Sequence, residues 1–564
     1  MPRSTLPRDT VSILNRVFAK SVGIMSFDRF QHRHGSAFII EMKRLFSCLL
    51  GAVALWSQSS HVPAAPEPAR SRPNIVFILA DDLGYGDLGC YGAERVKTPN
   101  IDRLAAEGLR LTRAYAPAST CTPTRYSILT GDYAWRQKSR KTTILDGDAP
   151  LAIDPAQPTL PGLLKKAGYK TGVVGKWHLG LGDGKTPVDF NGEIKPGPLE
   201  VGFGYSYIIP ATVDRVPSVW VENHHVVGLD PADPLRVSYV EKIGDEPTGL
   251  ENPELLRQRA DKQHSGTIVN GISRIGFMKG GQAARFKDEE LPGTVVAKSK
   301  AFIEAHKDEP FFLYVGLFEP HVPRVVDPRF AGTSDCGIRG DVIQQADWQV
   351  GQIMETLERL KLADNTLVIL TSDNGPVLFD GYFDRSKEDA NGHRPAGGLR
   401  GGKYLVFEGG ARMPFIARWP GRTPVGVSDE MIGLTDMLAS LSALAGETVP
   451  DGAGRDSLNV LPVLLDKSAK SPRDTVIIDG ISGTRAIVKG NWKYVPGRAQ
   501  GQASGMGRGA NPNDPRFGES RIPSPLLFNL SKDQAEQTNV IERHPEKAAE
   551  LARLLDEIVN GNDR

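Results

Sequence analysis

Continuous apolar stretches recur along the chain, and each stops at polar side chains. Ile75 to Ala80 runs into Asp81-Asp82, Phe311 to Phe318 into Glu319-Pro320-His321, and Leu367 to Leu370 into Thr371-Ser372-Asp373-Asn374-Gly375. Runs of this length without alternation predict strands buried on both faces, as in a parallel sheet. Between them the period changes. Ile101, Leu104 and Ala105 give Pro99 to Glu107 a helical face that stops at Gly108, a residue suited to a C-terminal cap. Val342, Ala346, Val350, Ile353, Leu357 and Leu360 recur at spacings of three and four and predict a longer amphipathic helix. Strands alternating with helices predict an α/β fold, in which ligands bind beyond the carboxyl ends of the strands. The polar groups that end the three runs would converge there.

The two ends read differently. Met42-Lys43-Arg44, the apolar run Leu45 to Trp56 and the small residues through Ala65 predict a secretory signal over 42–65, too short to span a bilayer as a helix. Residues 1–41 are polar, basic and aperiodic, and read as an extension ahead of a start at Met42 or Met25. The mature chain would begin between Ala65 and Ser71, in the periplasm or outside the cell. A catalytic domain is expected over 72–471 and a smaller α+β subdomain over 472–564. In the latter, Thr484 to Tyr494 and Leu526 to Leu530 read as strands and Gly497 to Pro525 as a loop. Pro545 to Val559 reads as a closing helix with Leu551, Leu554, Leu555 and Ile558 apolar.

Composition narrows the classes. The 564 residues carry 68 Lys plus Arg and 67 Asp plus Glu, a formal charge of +1. That balance lacks the basic footprint of a nucleic-acid binder. Four cysteines, Cys48, Cys90, Cys121 and Cys336, are too few for a disulfide framework.

Any one carboxylate after a strand is commonly a cap or turn residue. The Asp81-Asp82 pair is harder to explain so, because adjacent acids repel and need a cation or strong donors to stay ionised. With Asp373 and Asn374 they form an all-oxygen set suited to Ca²⁺ or Mg²⁺ rather than zinc. Cys121-Thr122-Pro123-Thr124-Arg125 carries a second signal. Pro123 fits a first helical turn, which leaves Cys121 at a helix N-terminus where free N–H groups favour an anion. Arg125 adds a fixed charge one turn on. The alternatives are a buried cysteine beside a structural arginine, and a cysteine protease, although no protease-like signature surrounds Cys121.

Cys-x-Pro-x-Arg followed by Leu129-Thr130-Gly131 resembles the signature of the type I sulfatases of the alkaline phosphatase superfamily. Further blocks follow in the family order: Pro73 to Gly84, Gly172 to Gly180 with Lys176 and His178, Pro320 to Pro323 with His321, Ser372 to Gly375, and Leu399 to Pro414 with Lys403. Thr124 departs from the usual serine or alanine, which bears on how efficiently the cysteine matures. The resemblance implies an alkaline-phosphatase-like, mostly parallel mixed sheet with a small C-terminal antiparallel sheet and helix. It implies that a maturation enzyme converts Cys121 to formylglycine, whose hydrate attacks sulfur and later expels sulfate with its second hydroxyl. It further implies that Asp81, Asp82, Asp373, Asn374 and residue 121 hold a cation, usually Ca²⁺ and less often Mg²⁺. Arg125 and Lys176 would orient the hydrate, His178 would take its spare proton, and His321 with Lys403 would stabilise the leaving oxygen. Taken singly, these lysines and histidines have structural explanations: surface charges for the lysines, a core position for His178 and a loop-shaping one for His321.

The long excursion from Leu181 to Pro310, with Asp214, Arg215, Trp220, His224 and His225, and the loop Asp380 to Arg400, with Asp384, Arg385, His393 and Arg394, are candidates to shape the binding site. Their donors and acceptors favour a sulfated carbohydrate, with aryl sulfates as surrogate substrates. Two other readings stay open: a phosphate or phosphonate ester hydrolase of the same superfamily, and a silent binding protein with an unmodified thiol. Neither a nucleic-acid partner nor a stable membrane span is expected.

Overall fold

The computed structural model describes residues 72–137, 144–497 and 522–561. The expected leader, the extension before it and most of the loop read over Gly497 to Pro525 lie outside these residues. The described residues belong to one compact unit. Its centre is a ten-stranded sheet. In chain order the strands are β1 (Asn74–Asp81), β2 (Leu109–Tyr115), β3 (Lys170–Lys176), β4 (Tyr205–Ile209), β5 (Val221–Glu222), β6 (His225–Val226), β7 (Phe311–Pro320), β8 (Thr366–Ser372), β9 (Arg412–Arg418) and β10 (Gly426–Gly433). Across the sheet the order is β10-β2-β9-β8-β1-β7-β3-β4-β5-β6. The central run β8-β1-β7-β3-β4 is parallel; β9 pairs antiparallel with both β8 and β2.

The absence of alternation in β1 has a direct cause. Ile75, Phe77 and Leu79 enter one apolar layer, and Val76, Ile78 and Ala80 enter the other. The first layer is closed by α2 (Cys121–Thr130), α3 (Leu160–Lys166) and α6 (Met437–Leu444). The second is closed by α1 (Pro99–Ala106), α4 (Leu291–Ala305) and α5 (Gly337–Arg359). The apolar stripe read between Val342 and Leu357 is the buried face of α5. Both faces of the central strands are therefore dry, and only their ends remain for polar chemistry.

A four-stranded antiparallel sheet follows: β11 (Thr475–Asp479), β12 (Arg485–Lys489), β13 (Trp492–Val495) and β14 (Leu526–Asn529). One face receives Leu551 and Leu555 from α7 (Pro545–Asn560). The other packs Val476, Ile478 and Val488 on Tyr115, Leu405, Phe407 and Ala411 of the main body. Among the described residues no helix is long and apolar enough to cross a membrane.

The central strands approach closely just before their polar ends. Gly175 has φ 100°, and a Cβ added there would lie 2.0 Å from the Gly316 carbonyl oxygen. Gly175→Ala is expected to lower the unfolding free energy by at least the ~1–3 kcal/mol of a strained backbone. Activity would fall with it, because Lys176 is the next residue. An unchanged urea midpoint would contradict this reading of the β3–β7 contact.

Candidate active site

The four parallel strands β1, β8, β7 and β3 end side by side, in that their pairings bring Ala80 opposite Ser372, Asp81 opposite Pro320 and Val315 opposite Val174. Asp81-Asp82, Asp373-Asn374, His321 and Lys176-Trp177-His178 therefore meet above one edge of the sheet. Helix α2 begins at Cys121, with Thr120 in extended conformation as its N-cap, and adds Cys121 and Arg125 to the group. Pro123 occupies the first turn, as its missing N–H allows. The Cys121, Arg125, Lys176, His178, His321, Asp81, Asp82, Asp373, Asn374 and Lys403 side chains are all buried.

Charge pairs tie them together. Lys176 Nζ lies 2.5 Å from Asp81 Oδ2 and 4.0 Å from Asp373 Oδ2. Arg125 Nε donates to Asp373 Oδ2 at 2.9 Å, and its NH2 lies 2.8 Å from the same oxygen. Lys403 Nζ donates to Asp82 Oδ2 at 2.9 Å and to Asp380 Oδ2 at 3.0 Å. Asn374 Nδ2 donates to Asp82 Oδ1 at 2.7 Å, and His321 Nε2 is 3.9 Å from Asp82 Oδ2. Asp82 itself has φ 64°, a turn that swings its carboxylate back over the strand end.

The environment sets protonation. Burial works to raise the Asp81 carboxyl, but Lys176, helped by His321, Arg125 and Lys403, outweighs it and holds the group at about 2. Burial and the Asp81 charge push Asp373 up, against Arg125 and Lys176. Burial would lower Lys403; Asp82, Tyr404 and Asp380 reverse that and keep it firmly cationic. The Cys121 thiol is pushed up by burial despite Lys176 and Lys403, so it is no thiolate nucleophile at neutral pH and the cysteine-protease alternative loses its chemistry. His178 is driven well below its ordinary value by burial, then by Lys176, Arg215 and Arg125. Its Nε2 is 3.0 Å from the Leu145 carbonyl oxygen, which can only accept, so the neutral ring carries its proton on Nε2. Nδ1 then presents a lone pair with no hydrogen-bond partner among the described residues.

The donor set fits a hard cation. Carboxylate oxygens of Asp81 and Asp373 lie with the Cys121 sulfur within 4.8 Å of one another, and ligand atoms of Asp81, Asp82 and His321 do the same. Asp81 Oδ1 and Asn374 Oδ1 are buried with no hydrogen-bond partner among the described residues. Buried oxygens are rarely left so, and both are of the kind Ca²⁺ or Mg²⁺ accepts.

Some loop residues singled out in the sequence stand elsewhere. Trp220 packs into an aromatic cluster with Tyr207, Phe286 and Phe318, and His224 pairs with Glu200 at 3.0 Å. His225 is an exposed residue of the short strand β6. Asp384 holds buried Arg324 at 2.6 Å. Arg385 makes a surface pair with Asp389. His393 supports Asp87, whose bidentate partner Arg339 also donates to the Asp82 carbonyl at 3.2 Å. Of these, the Arg339–Asp87–His393 and Arg324–Asp384 groups hold the backbone beside Asp82 and at Pro320. Asp214 and Arg215, in contrast, form a buried 2.8 Å pair whose charges act on the centre: Asp214 is steadied in part by His321, and Arg215 depresses His178. His264, 3.5 Å from Asp214, was not singled out from sequence; an isolated histidine in an irregular stretch gives no periodic or motif signal.

A cation-sized nest of carboxylates over the ends of a mostly parallel sheet, beside a cysteine at a helix N-terminus, defines an ester hydrolase of the alkaline-phosphatase-like architecture. The chain belongs to the sulfatase family, whose model, described as "Sulfatase", matches residues 73–447. An N-acetylgalactosamine-6-O-sulfatase of Bacteroides thetaiotaomicron is 48% identical over 526 residues, covering 92% of this chain and 99% of the relative. Arylsulfatase A of Bos taurus is 33% identical over 90% of each chain. A solved structure from work on glycosaminoglycan metabolism by Bacteroides thetaiotaomicron superposes with TM-score 0.81 at 49% identity, over 87% of this chain and 100% of that one. The protein is a sulfuric ester hydrolase.

The donor set predicts cation-dependent stability. Restoring a divalent cation to chelator-treated protein is expected to raise Tm, with about 2.7 kcal/mol gained at a hundredfold excess over Kd. Asp81→Asn should lose most of that shift. An unmoved wild-type melting curve would contradict the assignment.

Proposed function

We propose that this chain is an exported, formylglycine- and Ca²⁺-dependent carbohydrate sulfatase that removes a 6-O-sulfate from an N-acetylgalactosamine-type sugar, as in glycosaminoglycans. The observation that carries the chemistry is the buried Cys121 at the start of α2, within 4.8 Å of Asp81 and Asp373 oxygens in the cation-fitting nest. The relative 48% identical across nearly its whole length supports the sugar and the sulfate position. The leader read over 42–65 supports export, and maturation of Cys121 requires a formylglycine-generating enzyme as partner.

Asp81, Asp82, Asp373, Asn374 and the oxygen borne by residue 121 after maturation would hold the cation, with Mg²⁺ the lesser candidate. When bound, the cation supplies a point charge that polarises the sulfate ester. The formylglycine supplies, as its hydrate, the nucleophile that a protonated thiol cannot be. Arg125 and Lys176, fixed on Asp373 and Asp81, orient that group and keep the acids ionised. His178 Nδ1, on a neutral ring and without a hydrogen-bond partner among the described residues, would accept the proton from the hydrate's spare hydroxyl. His321 and Lys403 face charge developing on the leaving oxygen, where the preorganised Lys403 cation is worth most. His321 Nδ1 is 2.6 Å from the Val322 carbonyl oxygen, which fixes the proton there and aims Nε2 toward Asp82 and the pocket.

A cleft of about 850 Å³ is lined by Phe379, Phe383, Asp384, Arg385, Lys403 and neighbouring residues. Phe383 is 55% exposed and its ring lies 5.2 Å from that of Phe379, a face on which a sugar can stack.

Protein made with its maturation enzyme should carry an aldehyde in the Cys121 peptide by mass spectrometry. It should release sulfate from 6-sulfated N-acetylgalactosamine faster than from 4-sulfated isomers or matched phosphate esters. Cys121→Ala and His321→Ala should each abolish turnover while leaving circular dichroism unchanged. Full activity in either variant would overturn the assigned roles, and preference for phosphate esters would favour the phosphohydrolase alternative.

A further inference from the structure

The C-terminal subdomain reaches the catalytic strands through one buried carboxylate. Glu536, in the turn after β14, is fully buried and has φ 52°. Its Oε2 accepts the Glu408 backbone N–H at 2.6 Å, and its own carbonyl oxygen accepts from Arg400 NH1 at 3.1 Å. Lys493 Nζ, from β13, lies 3.0 Å from Glu536 Oε1 and 3.0 Å from Glu408 Oε1. Tyr115 donates to Glu408 Oε2 at 2.8 Å, with Arg412 3.5 Å from the same oxygen. The group is fully buried apart from its edge at Arg400 and Arg412, and joins β2, β9, β13, the turn after β14 and the segment before β9.

Glu408 begins a helical turn, Glu408–Ala411, that touches both halves of the active centre. Gly409 N–H donates to Arg400 at 2.7 Å, holding the chain just before Gly401-Gly402-Lys403. Gly410 O accepts from Gly375 N–H at 2.9 Å, directly after Asp373-Asn374. No slack exists at these contacts. A Cβ on Gly375 would lie 1.9 Å from Gly409 O, and one on Gly409 would lie 2.5 Å from Gly401 O. Lys403 N–H in turn donates to Pro376 O at 2.9 Å. A shift of the turn therefore moves Lys403 and the end of β8 together.

We propose that Glu536 is a positioning residue for the sulfatase reaction: from the C-terminal subdomain it clamps the Glu408–Ala411 turn and thereby sets Lys403 and Asp373-Asn374 against the reacting ester. Among the described residues, the Lys493 side chain bridges Glu536 to Glu408, and so ties the small sheet to the turn. A buried carboxylate at a left-handed backbone position is costly twice over, through strain and desolvation, and two polar contacts on the catalytic side, from the Glu408 N–H and Arg400 NH1, offset that cost. The inference rests on the sulfatase reading for its kinetic arm and is independent of it for its structural arm.

The test uses matured full-length protein and the variants Glu536→Ala, Glu536→Asp and Glu536→Gln, with Leu551→Ala as a control that loosens α7 without touching the clamp. Glutamine keeps an acceptor oxygen at the same reach; aspartate keeps the charge but falls short of the Glu408 N–H. Alanine and aspartate variants are expected to lose about tenfold in kcat with KM little changed, because Lys403 faces the leaving oxygen rather than the sugar. Glutamine should restore most of that loss, and Leu551→Ala should lower Tm while leaving kcat near wild type. Amide hydrogen exchange should quicken about tenfold at Gly375, Lys403 and Gly409 in the alanine variant, with β1 and β7 unchanged. Wild-type kcat in both the alanine and aspartate variants, or an equal kcat loss in Leu551→Ala, would overturn the clamp. Wild-type protein that cleaved no sulfate ester would instead overturn the activity reading, leaving the exchange measurement to decide the clamp alone.

Discussion

Carboxylates crowded together without water must be neutralised, and that constraint organises the centre of this protein. Asp81, Asp82 and Asp373 sit at the ends of two neighbouring strands, each fully or almost fully buried. Each has its own cationic partner: Lys176 for Asp81, Arg125 for Asp373 and Lys403 for Asp82. Removing one partner would leave an uncompensated buried charge, a cost of several kcal/mol. Among the described residues the three pairs leave Asp81 Oδ1 and Asn374 Oδ1 without a hydrogen-bond partner, and both are oxygens of the kind a divalent ion accepts. Under the proposed function, the cations that keep the acids ionised would also meet the sulfate group, so structural compensation and anion recognition would use one set of residues.

The fold supplies this arrangement by geometry. Strands buried on both faces have polar residues only at their ends, and parallel pairing aligns those ends. Close glycine contacts, such as Gly175 on Gly316, let β3 and β7 approach just before Lys176 and Pro320. Outer groups then fix the turn geometry. Arg339 grips Asp87 and the Asp82 carbonyl, and Arg324 ties Pro320 to the 377–386 segment. The C-terminal sheet belongs to this bracing, since its core is shared with Phe407 and Ala411 next to the turn behind Lys403.

The sequence alone determined the sheet core and the polar groups that end its central strands. Uninterrupted apolar runs marked β1, β7 and β8 because burial on both faces removes any reason for alternation. Asp81-Asp82, Asp373-Asn374 and the Cys121 block were visible because strand ends and helix starts leave short, local signals. The stripe from Val342 to Leu357 marked α5 for the same reason. Tertiary structure alone decided everything that depends on distant pairing. Asp380 beside Lys403, His264 beside Asp214, and Glu536 beneath Glu408 join residues separated by up to 128 positions, and no local period encodes such contacts. It also decided which polar loop residues are drawn into structural pairs: Asp384 and His393 look like binding groups in sequence, yet each is bound to a buried partner, Arg324 and Asp87 respectively. Residue type announces what a side chain can do; only the packing around it settles which of its possible partners is within reach.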